Sequence, residues 1–158
     1  MAALTACGSD DHVIERFRIE GHGMSPTIED GEQVEVLEYA DAAPARGDII
    51  EFAAPTSPDR LFIKRVIGLP GDTIEAGGVS GNVLLNGEIL DEPYAKGFTG
   101  CSGSCTWTIP TANTPESRQT CGSDSCYFVL GDNRQNSSDS RQGWLVPVEN
   151  IVGFIRVE

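Results

Sequence analysis

The sequence predicts an all-β domain, and three observations support this. Short segments that alternate apolar and polar residues recur along the chain from residue 13 onwards. Gly, Pro and Asn residues typical of tight turns separate these segments. Helical periodicity is scarce. Many short strands joined by such turns are typical of a β-barrel or β-sandwich.

The first half of the chain supplies three of the predicted strands. Residues 13–20, VIERFRIE, alternate between apolar and polar side chains. Residues 31–39 place Val34 and Val36 two positions apart, which is the period of a strand with one buried face. Residues 47–55 follow a Gly-Asp turn and are mostly apolar. We therefore expect three strands before residue 56.

The remaining predicted strands lie on either side of a cysteine-containing segment. Residues 60–76 read as a strand, a Leu-Pro-Gly-Asp turn and a second strand. Asn86 and Gly87 lie between two apolar runs within residues 82–90, and this dipeptide strongly favours a hairpin. Two further strands are predicted at 126–132 and 151–158.

Two segments carry no clear strand pattern. Residues 95–125 are rich in Gly, Ser, Thr and Cys and are predicted to be an insertion stapled by its cysteines. Residues 131–144 contain many charged and hydroxyl side chains but no large apolar side chain before Trp144. A loop of this length in a compact domain is usually functional or disordered, and its Asn and Ser side chains favour an ordered loop.

Length and charge limit the function. The chain has 158 residues, which suits one domain, predicted at 13–158 after a disordered or lipobox-derived tail at 1–12. Its 24 acidic against 11 basic residues give a formal charge of −13, which disfavours nucleic acid as a partner. No stretch approaches the roughly 20 apolar residues of a membrane span. We expect no cofactor and no bound metal.

The N-terminus contains a short match to a bacterial lipobox. The sequence LTAC ends at Cys7 and is followed by Gly8 and polar residues. In a lipobox the cysteine becomes the lipidated first residue, although the preceding basic and apolar regions of a signal peptide are not present here. An incidental cysteine in a frayed tail is the alternative.

The other four cysteines, Cys101, Cys105, Cys121 and Cys126, form a local cluster. An even number of cysteines in a turn-rich segment favours disulfides and an oxidising compartment. Four cysteines permit three pairings, of which we favour Cys101–Cys105 with Cys121–Cys126 because each closes a small loop. The alternatives are free thiols and a zinc site, which would make the chain a zinc-binding β module; both cysteine spacings are longer than the usual C-x2-C.

Lys64 is a candidate for burial and for chemistry. The period of two in RLFIKRVI places it on one face with Phe62 and Val66, whereas Arg65 points to the other face. Burial between apolar neighbours lowers the pKa of a lysine, and a neutral amine can act as a general base. A lysine that reaches solvent at a sheet edge is the alternative.

Three segments together resemble the signature boxes of bacterial type I signal peptidases, and they occur in the family's order. They are GMSPTI (23–28), RLFIKRVIGLPGD (60–72) and GDNRQNSSDSR (131–141). Further matches are RGDII (46–50), LNGEILDEPY (85–94) and VPVENIVG (146–153). The resemblance covers about residues 13–158 and is weakest over 95–125.

The resemblance implies a serine–lysine protease on a mostly β fold, a coiled sheet or pseudo-barrel, that cleaves signal peptides from exported preproteins. By this resemblance Lys64 takes the position of the general base and Ser137 that of the hydroxyl that orients it. Asp139 and Arg141 take the positions of an ion pair beside the site, and Asn136 lies in the same loop. The pockets that select Ala-x-Ala in substrates would be lined by Ile19, Gly21, Met24, Phe62 and Ile63.

The departure from the family pattern lies at the nucleophile. The family's box reads Ser-Met-x-Pro-Thr, and Gly23 occupies the serine position here. Glycine has no side chain to attack a carbonyl, so this chain is expected to be inactive. Ser25, two residues on, is the alternative nucleophile, and His22 is expected to be a solvent-exposed loop residue. Gly23 is compatible with a deliberate inactivating change, a natural pseudo-enzyme and a designed scaffold.

The resemblance also implies a location and partners. Signal peptidases of this type are anchored by helices ahead of the catalytic domain, so we expect an extracytoplasmic, membrane-associated protein whose partners are signal peptides and the membrane surface. The chain as given, without such a helix, is expected to be soluble. A non-catalytic peptide-binding or assembly module on the same scaffold is the alternative function.

Overall fold

The computed structural model describes residues 12–101 and 105–157. Its strands, in chain order, are β1 (Val13–Arg18), β2 (Gln33–Leu37), β3 (Ile49–Ala54), β4 (Ser57–Gly68), β5 (Thr73–Ala76), β6 (Val83–Leu85), β7 (Glu88–Ile89), β8 (Thr106–Thr108), β9 (Cys126–Leu130), β10 (Val146–Pro147) and β11 (Ile151–Ile155). One α-helix, α1 (Pro115–Cys121), and 3₁₀ turns at Ser140–Gln142 and Val148–Asn150 complete the described elements. The all-β prediction is confirmed.

The strands form two antiparallel sheets. The larger has seven strands in the order β1-β2-β11-β3-β4-β9-β10, and the smaller has four in the order β7-β6-β5-β8. The chain passes from the larger to the smaller sheet through the predicted Leu-Pro-Gly-Asp turn between β4 and β5. The predicted hairpin joins β6 to β7, where Asn86 and Gly87 both have positive φ, as a two-residue hairpin turn requires.

The larger sheet coils upon itself. Ile19, which follows β1, packs in one buried cluster with residues of β2, β3 and β11, and Ile63 of β4 packs against that cluster. Yet β1 and β4 are separated by three strands in the order of the sheet. The residues that follow β1 therefore lie close to β4, and this brings two distant parts of the sequence to one site.

Every segment predicted to be a strand contains one, but, besides the two 3₁₀ turns, three of the described elements were not predicted. They are β8 and α1, both inside the 95–125 insertion, and β10 in the chain after Trp144. The two strands have three and two residues, which is too short for a period of two to be recognised. The helix does have capping residues that the sequence contains. The Thr114 side chain accepts a hydrogen bond from the Ser117 N–H, the Ser117 side chain accepts one from the Thr114 N–H, and Gly122 ends the helix in the left-handed region.

The favoured cysteine pairing is confirmed. Cys101 pairs with Cys105 and Cys121 with Cys126, with Cα atoms 6.0 Å and 6.4 Å apart. Both bridges use their sulfurs in covalent bonds, so the zinc alternative loses its four ligands. The prediction on Cys7 falls on residues outside the described ranges. Within those ranges no helix has the length and apolar character needed to span a bilayer.

The Cys121–Cys126 bridge joins the end of α1 to the start of β9, which leads directly to the 131–144 loop. Replacing both cysteines by serine should lower the free energy of unfolding by about 2 kcal/mol, because the unfolded chain regains the entropy of a short closed loop. Urea denaturation of the variant and the parent chain measures this difference. An unchanged midpoint in non-reducing buffer would contradict the expectation.

Candidate active site

A groove of about 640 Å³ runs along the coiled part of the larger sheet. Its walls come from β1 and the loop that follows it (residues 15–24), from β4 (residues 60–64) and from the 131–144 loop (residues 136–138), with Glu51 of β3 at its base. Every predicted site residue lines this groove except Asp139 and Arg141. The three segments that sequence spacing alone could not bring together therefore meet here.

Lys64 lies in this groove and is buried, with 9% of its surface exposed. In the register of β3 with β4 it lies opposite Ile50, and its Nζ is 5.3 Å from the centre of the Phe62 ring. Desolvation by burial lowers the pKa of Lys64 to about 8, against the smaller opposing attraction of the Asp139 and Asp132 carboxylates. The predicted burial of Lys64 is confirmed, and its amine is poised to be neutral in mildly alkaline solution.

Gly23 faces Lys64 directly. A Cβ atom built on Gly23 would lie 3.5 Å from Lys64 Nζ and 3.6 Å from the Asn136 carbonyl oxygen, both ordinary contacts. The φ angle of Gly23 is outside the left-handed region, unlike that of Gly21 at +102°. Neither space nor backbone conformation therefore requires glycine at position 23, whereas the turn at Gly21 does favour it.

The carbonyl of Gly23 is hydrogen-bonded, whereas its N–H is available. Its carbonyl accepts a hydrogen bond from the Asn133 N–H (3.1 Å), and the Asn133 side chain donates to the His22 carbonyl (3.0 Å). The Gly23 N–H donates to no protein atom within 12–101 and 105–157. An N–H that is fixed, unpaired and beside a buried amine is suited to receive an oxyanion.

Ser137 lies beside these groups with a buried hydroxyl. Within the described ranges its Oγ has no hydrogen-bond partner, and the Lys64 ammonium donates instead to the Ile63 carbonyl (2.8 Å). The structure thus brings Ser137 into the groove but does not bond it to Lys64. Gly131 packs against it so closely that an added Cβ would overlap both Ser137 Oγ and the Gly23 carbonyl oxygen. Gly131 was not among the predicted site residues, although its position at the start of the third signature box indicates a role in the site.

An ion-pair network fixes the loops behind the groove. Asp139 pairs with Arg141 (Nε to Oδ1, 2.8 Å) and accepts a hydrogen bond from the Gly131 N–H. Arg141 also donates to the carbonyl of Arg134, which is itself buried and paired with Glu92. Asp139 and Arg141 therefore form an ion pair, as expected, but they brace the 131–144 loop from behind rather than line the groove.

Asp132 joins all three site segments and was not among the predicted residues. Its carboxylate is fully buried and accepts hydrogen bonds from Nε and Nη2 of Arg65. It also accepts a hydrogen bond from the Thr27 hydroxyl. Arg65 is next to Lys64, Thr27 follows the loop of Gly23, and Asp132 belongs to the 131–144 loop. The alternation that points Lys64 into the groove points Arg65 into this buried pair.

The residues expected to shape substrate pockets all line the groove. Ile19 and Met24 are buried in the cluster beneath the groove, and Ile63 packs against the same cluster. Phe62 stands between Lys64 and Arg60. His22 is exposed at the rim, as expected.

Ser25, the alternative nucleophile, is poorly placed to reach the groove. It is buried, does not line the groove, and its hydroxyl donates to Glu29 (2.5 Å). The hydrogen-bond partner of the Ser25 hydroxyl is therefore the carboxylate of Glu29 and not the Lys64 amine. This geometry leaves position 23 as the place from which a side chain would reach Lys64.

Comparison with known proteins agrees with this geometry. A family model described as signal peptidase, peptidase S26, matches residues 1–158. The chain belongs to this family. It is 38% identical over 163 residues to a signal peptidase I of Leptolyngbya laminosa, covering 97% of this chain and 72% of the relative. It is 34% identical over 152 residues to signal peptidase IB of Staphylococcus aureus, covering 90% and 76%.

A solved signal peptidase has the same architecture. A crystal structure of a signal peptidase I from Enterococcus faecalis V583 superposes with a TM-score of 0.55 at 28% identity, over 73% of this chain and 98% of that chain. Signal peptidases of this family are serine endopeptidases that remove signal peptides from preproteins. Family membership therefore gives the reaction class, that of a serine endopeptidase.

Proposed function

We propose that this signal peptidase domain binds the Ala-x-Ala segment of exported preproteins in the groove, and that position 23 is its nucleophile position. Lys64 would be the general base and Ser137 would orient the lysine, with Asn136 beside it. With Gly23 the domain would bind such peptides without cleaving them. The observation that carries the proposal is the distance of 3.5 Å from a Cβ at position 23 to Lys64 Nζ.

The geometry supports a specific sequence of steps once a hydroxyl stands at position 23. The neutral Lys64 amine takes the proton of the hydroxyl as its oxygen attacks the substrate carbonyl. The carbonyl oxygen becomes an oxyanion and accepts a hydrogen bond from the N–H of residue 23. The Lys64 ammonium then gives its proton to the departing amine, and a water molecule, activated by the same lysine, hydrolyses the ester.

The test is to map the products formed from a full-length preprotein. The Gly23→Ser variant should release the signal peptide by cutting after Ala-x-Ala, as read by mass spectrometry, whereas the given chain should leave the preprotein intact. Binding of the same preprotein by the given chain, without cleavage, is expected. Cleavage by the given chain would place the nucleophile elsewhere and overturn the proposal.

The cleavage rate should depend on pH through Lys64. Because burial lowers the pKa of Lys64 to about 8, the neutral base is abundant above pH 8 and scarce below it. We expect kcat/KM of the Gly23→Ser variant to fall about tenfold for each pH unit below this value and to level off above it. A profile that is flat between pH 6 and 9 would argue against Lys64 as the base.

Attachment to a membrane through Cys7 remains a prediction from the LTAC sequence alone. A lipid chain on Cys7 would hold the groove close to the bilayer from which signal peptides emerge. A single acyl chain gives only marginal membrane binding, so stable anchoring would need a second signal.

A further inference from the structure

Glu51 is an unexpected residue at the base of the groove. It belongs to β3, where the flanking residues Ile50 and Phe52 are fully buried, and only 2% of its own surface is exposed. It nevertheless lines the groove that would hold the peptide. A carboxylate in such a place loses most of its hydration, so some other group must compensate.

The carboxylate lacks a complementary partner. Within the described residues Glu51 Oε2 is buried and has no hydrogen-bond donor. The nearest titratable neighbour is another acid, Glu15 of β1, which reaches Glu51 because the sheet coils. Desolvation first, and then the hydrogen bond and repulsion from Glu15, raise the pKa of Glu51 to about 8. Glu51 is therefore expected to hold a proton at neutral pH.

Among the described residues, no cation is paired with Glu15 or Glu51. On the strands next to β3, Ile63 and Gly153 lie opposite Glu51 and carry no charge. The charged and titratable groups that share the groove are Arg18, Glu20, His22, Arg60 and Lys64.

The three basic groups among these are directed elsewhere. Arg18 donates to the Gly31 carbonyl, Arg60 lies 5.7 Å from the centre of the Phe62 ring, and Lys64 donates to the Ile63 carbonyl. Within the described residues neither Glu15 nor Glu51 forms an ion pair with them. The missing cation would have to come from a ligand.

We propose that Glu15 and Glu51 form a specificity subsite that accepts a lysine or arginine side chain of the peptide bound in the groove. This proposal rests on the proposed function, because it takes the groove to be the place of the peptide. An ammonium or guanidinium group would donate hydrogen bonds to both carboxylates and to the unpaired Glu51 Oε2. The Glu51 proton would leave to solvent as the cation binds, so the net charge of the site is unchanged.

Direct binding to the given chain is the test, because the chain should hold a peptide without cutting it. The probe is a set of fluorescein-labelled peptides that each contain an Ala-x-Ala segment. Each peptide carries one lysine, at a different position before the scissile bond, and the middle position x is included. The matched peptides carry norleucine, which has the same carbon chain length without the charge. We expect one lysine position to bind about tenfold tighter than its norleucine counterpart at pH 8.5.

The variants separate the subsite from general electrostatic attraction. Glu51→Gln and, independently, Glu15→Gln should reduce the lysine preference to less than about twofold, because each removes one carboxylate of the pair. Glu75→Gln removes the same charge from an exposed position of β5 and should keep the preference. Should Glu51→Gln fail to fold, Glu15→Gln still decides, since Glu15 is exposed.

The pH dependence gives a second readout that a structural role would not produce. The lysine preference should grow as pH rises towards about 8, because the Glu51 proton no longer has to be displaced. Titration of Lys64 affects both peptides and cancels in their ratio.

Two results would overturn the subsite: equal binding of every lysine peptide and its norleucine counterpart, or a preference that survives both glutamine variants. If Gly23→Ser cleaves while no lysine preference exists, the subsite alone is wrong. If the preference exists and Gly23→Ser is inert, the proposed catalysis alone is wrong.

Discussion

Replacing Gly23 by serine should give the chain endopeptidase activity on signal peptides. Because the nucleophile of a coupled catalytic group typically supplies about 10⁶ in turnover, we expect a gain of that order over the given chain. The geometry allows it: the new Cβ would meet only ordinary contacts at 3.5 Å and 3.6 Å, and its oxygen would come within reach of the Lys64 amine. Hydrolysis of a fluorogenic signal-peptide substrate at pH 8.5 measures the gain.

Gly23→Ala is the matched control for this experiment. It adds the same Cβ and the same loss of backbone freedom but no hydroxyl, so it should fold as the serine variant does and stay inert. Cleavage by Gly23→Ala at the rate of Gly23→Ser would show that the hydroxyl is not the nucleophile. A folded but inert Gly23→Ser variant would favour the interpretation as a non-catalytic peptide-binding module.

Adding Lys64→Met to the Gly23→Ser variant should abolish the new activity, with a loss of about 10⁶, because nucleophile and base act as a unit. Methionine fills a similar volume beside Phe62 without a proton-accepting group. The control is Lys96→Met in the same Gly23→Ser background. Lys96 is the other lysine of the sequence, its side chain is exposed, and its loss should leave the rate within about twofold.

Unfolding should not explain the loss of activity in the Lys64→Met variant. The pKa of Lys64 is lowered from 10.5 to about 8 by burial, so between these values the folded state binds fewer protons than the unfolded state. The stability of the parent chain therefore rises with pH across this window and is reduced below it. A methionine removes that penalty, so thermal denaturation at pH 7 should give a Tm at or above that of the parent. A large drop in Tm would leave the kinetic result to be explained by misfolding.

The strand pattern predicted most of the fold because the strands are short apolar or alternating segments bounded by turn residues; β3 and β9 are almost entirely buried and appear in the sequence as nearly continuous apolar runs. The elements that escaped prediction are short or depend on distant partners. β10 consists of Val146 and Pro147 and exists only as a ladder beside Tyr127 and Cys126. Two residues are too few for a local pattern to predict such a strand.

The candidate site shows the same division. The period of two in β4 was sufficient to predict a buried Lys64, and the signature boxes predicted which segments converge. Glu51 could not be anticipated as a partner of Glu15, because β1 and β3 are not neighbours in the sheet and their side chains meet only through its coiling. Asp132 was missed for a similar reason: its partners Arg65 and Thr27 are far apart in sequence.

The bonds that hold the Gly23 backbone come from Asn133, not from any side chain at position 23. The backbone conformation at position 23 therefore does not depend on which side chain position 23 carries. A change from a glycine codon to a serine codon can require a single base, and nothing else in the chain would need to adjust. On the proposed function, loss and recovery of the catalytic group would therefore be separated by one mutation for as long as the loop of Asn133 persists.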